Sequence, residues 1–221
     1  MIEKDLKDLH AKLEIHLEDQ SKNYGSFIYA QKNGYYQGFE QIKLNGCRPT
    51  EKRFERYHIE SYLSEQKSAL DIGSNCGFFT IYVSDYLLNI DGVELNPYLV
   101  KISDDVKEFL EKKNLTFYTS SFEEFTTDEK YDVVFSLAND ETIDGNTKFT
   151  FEEYVEKIIK LMKNDGYLMF ETVSTDTYEP RIFLPKLEFL KKHFDVIEDK
   201  MVKSEYPINV PERRFLVLKK L

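Results

Sequence analysis

The stretch ALDIGSNCGFFT, residues 69–80, joins a predicted strand to a predicted helix through a loop that contains two glycines. The short apolar run at 68–71 is typical of a buried strand, and 78–88 is typical of a helix. Gly73 and Gly77 allow a positive φ and remove Cβ atoms that would keep a ligand away from the backbone. The free N–H groups at the helix start point into the same crevice. This pattern predicts a ligand site at the carboxyl end of a strand.

The loop has the form D-x-G-x-x-x-G, which differs from the G-x-G-x-x-G of dinucleotide-binding loops. An acidic residue at its start, Asp71, would repel a pyrophosphate and attract a ligand that carries an ammonium group. S-adenosylmethionine carries an amino group, a carboxylate and a sulfonium. The chemistry of the loop therefore points to this ligand.

Further candidate ligand contacts follow the next two predicted strands. Glu94 ends the second strand, and its two carboxylate oxygens match the two adjacent hydroxyls of a ribose. Ser121 and Phe122 close the third strand, where an adenine would meet a polar group at its edge and Phe122 or Leu95 against its ring. Taken alone, Glu94 would be a solvated charge and Phe122 a core residue. The spacing after the glycine loop favours the binding role for Glu94.

Strands and helices alternate from residue 67 to the end of the chain. The predicted strands are 68–71, 89–94, 115–119, 131–137, 167–171, 194–197 and 214–219, and the predicted helices are 78–88, 97–113, 151–162 and 185–192. This alternation predicts an α/β fold with a mostly parallel sheet and helices on both faces. The last two strands have no helix between them, so we expect an antiparallel pair at one edge.

Residues 69–80 resemble the first motif of class I, Rossmann-like S-adenosylmethionine-dependent methyltransferases. Glu94, Ser121-Phe122 and the strand at 133–138 occupy the family's next three motif positions, and the resemblance covers about two thirds of the chain. It implies a seven-stranded sheet in the order 3-2-1-4-5-7-6 and S-adenosylmethionine as the cofactor. The predicted cofactor contacts are Asp71, Gly73, Ser74, Asn75, Gly77, Phe78, Glu94, Leu95, Ser121, Phe122 and Ser136.

The segment after the fourth strand limits the type of methyl acceptor. Family members that methylate nucleobases or glutamine commonly carry an N/D-P-P-Y/F motif here, whereas this chain has SLAND at 136–140. We therefore expect transfer to an oxygen. Asp140 is the first candidate for a general base and Glu171 the second, with Asn139 orienting the acceptor. The alternatives are that Asp140 caps a helix or lies in a loop, and that an anionic acceptor needs no base.

The first 66 residues are predicted to form an N-terminal extension of a core at 67–221. Residues 2–20 have the pattern of an amphipathic helix, and 21–45 that of an ordered but irregular segment rich in aromatic residues and glycine. Because aromatic side chains exclude water and stack on rings, we expect 24–50 to form a lid over the acceptor.

An arginine-rich stretch lies just before the core, and residues 46–57 are similar to the pre-core segment of bacterial methyltransferases that act on sugars or other small polar acceptors. The predicted acceptor contacts in this region are Tyr36, Arg48, Arg53 and His58. Guanidinium groups here would hold a phosphate, a sugar phosphate, a nucleotide diphosphate or the carboxylate of the cofactor. The alternative is that they pair with glutamates on a helix surface, namely Glu51, Glu55 and Glu60.

The net charge of −10, from 40 acidic and 30 basic residues, disfavours a nucleic-acid partner. No apolar run is long enough for a membrane span, no signal peptide is evident and only two cysteines occur, so we expect a cytoplasmic protein. No histidine pair has metal-ligand spacing, so no metal is predicted, with a site on Asp140 and Glu171 as a minor alternative. The sequence thus predicts O-methylation of a sugar, nucleotide-sugar or phosphorylated metabolite. The alternatives are an RNA methyltransferase and a non-catalytic adenosyl-binding regulatory module.

Overall fold

The computed structural model describes residues 2–32, 34–141, 147–207 and 209–221, without the side chains of residues 2–4, 178 and 180. All statements about the fold and the site concern these residues. Within them we find no helix with the length and apolar character that a bilayer span requires.

Helices and strands alternate along most of the described chain. The helices are α1 (Ile2–Asn23), α2 (Thr50–Tyr57), α3 (Phe78–Val83), α4 (Pro97–Phe109), α5 (Phe151–Leu161), α6 (Ser174–Tyr178) and α7 (Pro180–Leu190). The strands are β1 (Tyr35–Gly38), β2 (Gly46–Pro49), β3 (Ser68–Ile72), β4 (Asn89–Glu94), β5 (Leu115–Thr119), β6 (Tyr131–Leu137), β7 (Met162–Glu171), β8 (Phe194–Lys203) and β9 (Glu212–Lys220). Short 3₁₀ helices cover Glu40–Ile42, Glu60–Tyr62 and Ser84–Tyr86.

The main sheet has the strand order β5-β4-β3-β6-β7-β9-β8. Counted from β3 as the first core strand, this order is 3-2-1-4-5-7-6, so the predicted topology is confirmed. Strand β9 is antiparallel to both of its neighbours, and the other neighbouring strands are parallel. The strand order changes direction between β3 and β6, because β4 and β5 lie on one side of β3 and β6 and β7 lie on the other. Ligands of open α/β sheets bind at the carboxyl ends of strands at such a point.

Helices pack on both faces of the sheet, as predicted. The buried stripe of α1 has the expected helical spacing and packs in the same apolar layer as α2, α3 and α4. The opposite layer contains the buried faces of α5 and α7. The N-terminal helix thus packs against the rest of the fold through α4, and the predicted amphipathic helix is confirmed and extends to Asn23.

The segment after α1 is more regular than the sequence predicts. Strands β1 and β2 form a separate parallel pair, in which Gln37 lies opposite Arg48. A Cβ atom on Gly46 would lie 2.2 Å from the carbonyl carbon of Gln37. Glycine at 46 therefore lets the two backbones approach, and this long-range contact has no signature in a local pattern.

Several element ends also differ from their predicted positions. Residues 164–166, which have the composition of a helix stop, lie within β7, and Asp165 has a φ of 59°. Helix α7 begins at Pro180 and contains Pro185, where the sequence predicts its start. Strand β8 continues to Lys203, beyond the predicted end at residue 197, because it pairs with β9 along this length. Tertiary pairing extends these strands past the point where local pattern ends.

Candidate active site

The loop between β3 and α3 adopts the left-handed conformations that its sequence predicts. Gly73, Asn75 and Gly77 have φ values of 66°, 56° and 71°. A Cβ atom on Gly73 would lie 2.6 Å from Oδ1 of Asn139. One on Gly77 would lie 2.5 Å from Oγ of Ser103 and 2.6 Å from the ring of Phe117. Both glycines therefore leave room for the protein's own side chains to approach the loop, and Gly73 also borders the cavity, so the ligand contacts of the glycines stay predictions.

Asp71 lies at the end of β3 and borders a cavity. Its side chain is buried, and Oδ2 accepts a hydrogen bond of 2.6 Å from the Thr80 hydroxyl. Burial raises the pKa of Asp71 to about 7, although the Thr80 hydrogen bond and the charge of Arg53 oppose this rise. Close to neutral pH this carboxyl group is thus poised to ionise when a cationic group binds next to it.

Glu94 lies at the end of the neighbouring strand β4. Its Oε2 accepts a hydrogen bond of 2.9 Å from the backbone N–H of Asn75, and its Oε1 accepts one of 2.8 Å from that of Asn96. These bonds orient the carboxylate while each oxygen keeps further acceptor capacity. The two oxygens therefore fit the adjacent hydroxyls of a ribose, and Leu95 lies beside them in the wall of the cavity.

The cavity has a volume of about 980 Å³, including the part that is open to solvent, which is within the range of small-molecule sites. It lies at the carboxyl ends of β3, β4 and β6. The predicted site residues that line it are Tyr36, Arg53, Asp71, Gly73, Asn75, Glu94, Leu95, Ser121, Phe122 and Asn139. Those outside its described lining are Arg48, His58, Ser74, Gly77, Phe78, Ser136, Asp140 and Glu171.

Three predicted cofactor contacts have supporting positions instead. Ser136 Oγ lies 2.9 Å from the Tyr154 hydroxyl, and both groups are buried. Ser74 is buried, and its N–H donates to the Val93 carbonyl. The side chain of Phe78 packs in the apolar layer below the loop. These side chains hold the loop and the strand end, and we correct their predicted role from ligand contact to support.

Gln37 in β1 has a role that the sequence did not reveal. Its Nε2 donates to the Ser74 carbonyl at 3.3 Å, and its Oε1 accepts from the Phe78 N–H at 3.1 Å. Gln37 thus binds the loop and accepts a hydrogen bond from one of the N–H groups at the start of α3 that have no partner within the helix. Gln37 is separated by 37 positions in the chain from Ser74 and by 41 positions from Phe78. Only the fold therefore brings these residues together.

A cluster of charged groups surrounds Glu171 at the carboxyl end of β7. Nη1 and Nη2 of Arg48 donate to Oε1 and Oε2 of Glu171 at 2.7 and 2.9 Å, a bidentate pair. Arg53 Nη2 and Arg213 Nε lie 3.5 and 3.8 Å from Oε1, and the Tyr57 hydroxyl donates to Oε2. Burial opposes ionisation of Glu171, but the three guanidinium groups hold its pKa well below the usual range.

This cluster corrects the predictions for Glu171 and Arg48. Glu171 is a poor general base, because it is fully buried in ion pairs that hold its pKa well below the usual range and so weaken its affinity for a proton. Arg48 is 2% exposed and binds Glu171, so it supports the cluster from outside the described lining of the cavity. His58 follows α2 as its C-cap, has an exposed side chain and lies outside the described lining of the cavity. The surface pairs expected for the arginines are replaced by pairs with Glu171 and, for Arg56, with Glu205.

Asp140 lies just beyond the Asn139 side chain that borders the cavity. Its side chain is buried and forms an ion pair of 2.8 Å with Lys186, which also binds Asp176. Burial raises the pKa of Asp140 to about 6, against the charge of Lys186. The residues that follow at 142–146 are outside the described ranges. Asp140 as a base stays a prediction, and its Oδ1 makes no hydrogen bond among the described residues.

A family model described as a methyltransferase domain matches residues 63–206. The chain therefore belongs to the methyltransferase domain family and is an enzyme. With this fold, strand order and loop it is a class I, Rossmann-like methyltransferase, and S-adenosylmethionine is its cofactor.

Among curated proteins the chain is similar to malonyl-[acyl-carrier protein] O-methyltransferase 2 of Ilyobacter polytropus. The identity is 30% over 153 residues, which are 65% of this chain and 56% of that protein. The match therefore spans only a little more than half of the relative's length.

Solved structures show the same fold at low sequence identity. A protein of Listeria monocytogenes, described as a class I S-adenosylmethionine-dependent methyltransferase, has a TM-score of 0.66 and 16% identity, covering 99% of this chain and 68% of its own. The N-methyltransferase NodS of Bradyrhizobium japonicum, in complex with S-adenosyl-L-homocysteine, has a TM-score of 0.58 and 12% identity, covering 76% and 84%. The tRNA m1G37 methyltransferase of M. jannaschii has a TM-score of 0.57 and 18% identity, covering 75% and 48%. At these low sequence identities, the likeness to the three structures shows a shared fold alone.

Proposed function

We propose that this enzyme transfers the methyl group of S-adenosylmethionine to an oxygen of a small polar acceptor, such as a sugar, a nucleotide-sugar or a phosphorylated metabolite. The observation that carries the proposal is the pair of carboxyl groups, Asp71 and Glu94, on neighbouring strand ends in one cavity. Asp71 fits the ammonium group of the methionine part, and Glu94 fits the ribose. When bound, the cofactor supplies an electrophilic methyl group on a sulfonium.

The lining of the cavity favours a small acceptor over RNA. Tyr29 and Tyr36, from the N-terminal segment, form part of its wall. Among the described lining residues, Arg53 is the one basic side chain, against the acidic Asp71, Glu94 and Glu123. Binding of a nucleic-acid backbone depends on several cationic contacts. A cavity whose charged lining residues are mostly acidic therefore favours a small metabolite over RNA as the acceptor.

Oxygen as the accepting atom is supported by two further observations. The segment after β6 lacks the proline-containing motif of enzymes that methylate nucleobases or amides. The curated relative is named as an O-methyltransferase. In this proposal Asn139, which lines the cavity and donates to the Ile72 carbonyl, orients the acceptor oxygen by hydrogen bonding.

The test is methyl transfer from radiolabelled S-adenosylmethionine, with a small-metabolite extract and purified total tRNA as parallel acceptors. We expect label in the metabolite fraction, in a bond that mass spectrometry identifies as O-methyl. The Glu94→Gln variant serves as the background control. Label in tRNA alone, or S-adenosylhomocysteine binding without any product, would refute the proposal in favour of an RNA methyltransferase or a regulatory module.

A further inference from the structure

The cluster around Glu171 carries more positive than negative charge. Three guanidinium groups, those of Arg48, Arg53 and Arg213, face this one carboxylate. The next carboxyl group on the Arg53 side is Asp71, whose pKa near 7 leaves it partly protonated at neutral pH. Buried positive charge without a counter-charge is costly, so such a cluster favours an additional anion.

The position of the cluster on the sheet places this anion on the acceptor side. Glu94, Asp71 and Glu171 lie on β4, β3 and β7, and the sheet order is β4-β3-β6-β7. The adenosine and methionine parts of the cofactor belong over β4 and β3. Glu171 lies two strands beyond Asp71, which is roughly 10 Å at the usual strand spacing. Glu171 and its bidentate partner Arg48 therefore lie on the β7 side of the strands expected to hold the cofactor, and Arg53 borders the cavity between them.

One of the three arginines lines the cavity and has an N–H donor that makes no hydrogen bond. Arg53 is 7% exposed and lines the cavity. Its Nε donates to the Tyr57 hydroxyl at 2.6 Å, whereas its Nη2 has only the ion pair of 3.5 Å with Glu171 and makes no hydrogen bond among the described residues. Stacking of the guanidinium plane near the rings of Tyr57 and Phe79 holds it in place. A buried N–H donor without a partner calls for an acceptor from a ligand.

Tyr36 borders the same part of the cavity. Burial disfavours ionisation of its hydroxyl, yet the positive charges of Arg48, Arg53 and Arg213 lower the pKa of Tyr36 below its ordinary value. Because these guanidinium groups favour negative charge at this point, the phenol is a strong hydrogen-bond donor toward an anion. Edge contacts with Tyr29 and Tyr206 support its ring.

We propose that Arg53 and Tyr36 form a binding site for a carboxylate of the methyl acceptor, so that the acceptor is a small carboxylic acid or an acidic sugar. This inference rests on the proposed function and narrows its substrate class. Arg53 Nη2 and the Tyr36 hydroxyl donate to the carboxylate. Arg48 and Arg213 act indirectly, by holding Glu171 and adding positive potential.

The experiment measures the Tm of the enzyme saturated with S-adenosylhomocysteine, with malonate or its uncharged diamide, malonamide, at equal ionic strength. Malonate should raise the Tm by roughly 2–4 °C, the shift expected for a ligand present at a few times its Kd in a protein of this size. Malonamide should leave it unchanged. The shift should vanish in Arg53→Gln and fall by about half in Tyr36→Phe, which loses one hydrogen bond of two. Arg56→Gln, a surface arginine on the same helix, should retain it.

A second measurement separates the acceptor from the cofactor as the source of the carboxylate. S-adenosylhomocysteine carries a carboxylate, and 5′-methylthioadenosine lacks the amino-acid part. If Arg53→Gln weakens binding of the first tenfold and spares the second, the arginine holds the cofactor and the inference is overturned. Equal shifts with malonate and malonamide would overturn it too. Both results leave the proposed function intact, whereas absence of S-adenosylhomocysteine binding to the parent enzyme would refute that function itself. Should Arg53→Gln not fold, Tyr36→Phe alone decides.

Discussion

Two buried carboxyl groups, one in the cavity wall and one in the charged cluster beside the cavity, differ in their ionisation. At the cofactor end, Asp71 has few compensating partners, and burial raises its pKa to about 7. In the charged cluster, Glu171 is buried more deeply, yet three guanidinium groups hold its pKa well below the usual range. The comparison shows that burial alone does not set ionisation, because neighbouring charges decide which effect dominates. It also separates a carboxyl group that is ready to receive a cation from one that is already neutralised by the protein.

The largest effect is expected from Glu171→Gln. Removal of this charge leaves three buried guanidinium groups without their carboxylate, and breaking a buried pair in this way costs about 3–5 kcal/mol of the free energy of unfolding. Urea denaturation measures the loss. Glu198→Gln is the matched control, because Glu198 pairs with Lys200 in a partly exposed position, where a change of about 0–1 kcal/mol is expected.

The pH dependence of stability sharpens this prediction. Since the folded-state pKa of Glu171 is lowered, its contribution is present above the unfolded pKa and is lost as the pH falls through the folded one. The difference in stability between parent and Glu171→Gln should therefore shrink in acid. If Glu171→Gln is as stable as the parent protein at neutral pH, the negative charge of Glu171 does not stabilise the cluster.

The second effect concerns cofactor affinity at the opposite end. Asp71→Asn and Glu94→Gln should each weaken S-adenosylhomocysteine binding roughly ten- to a hundredfold, the usual result of losing a charged hydrogen bond of about 1.5–3 kcal/mol. Calorimetry measures the affinity. Asp91→Asn, on the same strand as Glu94 and bonded to Tyr131, should bind like the parent. Normal binding by both site variants would contradict the assignment of the loop.

A smaller effect is expected from pH on the same affinity. The ammonium group of the ligand favours ionised Asp71, so binding should weaken as the pH falls below about 7 and should lose up to about tenfold per unit. The Asp71→Asn variant should lack this dependence. For folding the sign is reversed: the raised pKa means that the contribution of Asp71 to stability is full below its unfolded pKa and is lost as the pH rises toward 7. A flat affinity profile in the parent enzyme would place the ammonium group elsewhere.

The smallest effect is expected for Gln37, which joins the N-terminal segment to the loop. Gln37→Ala removes two neutral hydrogen bonds and should weaken S-adenosylhomocysteine binding about three- to tenfold. Gln41→Ala, an exposed neighbour, is the control.

Limited proteolysis provides a second readout of the same contact. S-adenosylhomocysteine should protect residues 24–50 from cleavage in the parent enzyme, and less so in Gln37→Ala. If S-adenosylhomocysteine leaves the rate of cleavage in this range unchanged in both proteins, the prediction that these residues form a lid is contradicted.

The cofactor end was largely readable from the sequence. The strand, the glycine loop and the helix after it are contiguous, and Asp71 and Glu94 each end a strand with a clear pattern, so their convergence follows from the parallel topology. The positive φ of the two glycines is confirmed, but a local pattern does not show which protein atoms approach them. Their neighbours, Asn139 and Phe117, come from other strands and loops.

The acceptor end was not readable in the same way. The sequence makes Arg48 and Arg53 candidates for contact with the acceptor. In the structure Arg48 is buried outside the described lining of the cavity, whereas Arg53 borders the cavity. Glu171 resembled a base because it ends a central strand. Its partners are remote in the chain, and Arg48 is 123 positions away. No spacing rule predicts such a pairing or the pKa that results from it.

The sequence by itself determined the fold class and, through the resemblance of its motifs to a family, the strand order and the cofactor. The fold class follows from periodicity, and the resemblance depends on contiguous motifs, in which each residue's position follows from its near neighbours along the chain. Only the tertiary structure decided which arginine lines the cavity, which glutamate is neutralised and that Gln37 holds the loop. Charge and burial depend on the groups that folding brings within a few ångströms, and those groups come from segments that the chain order keeps far apart.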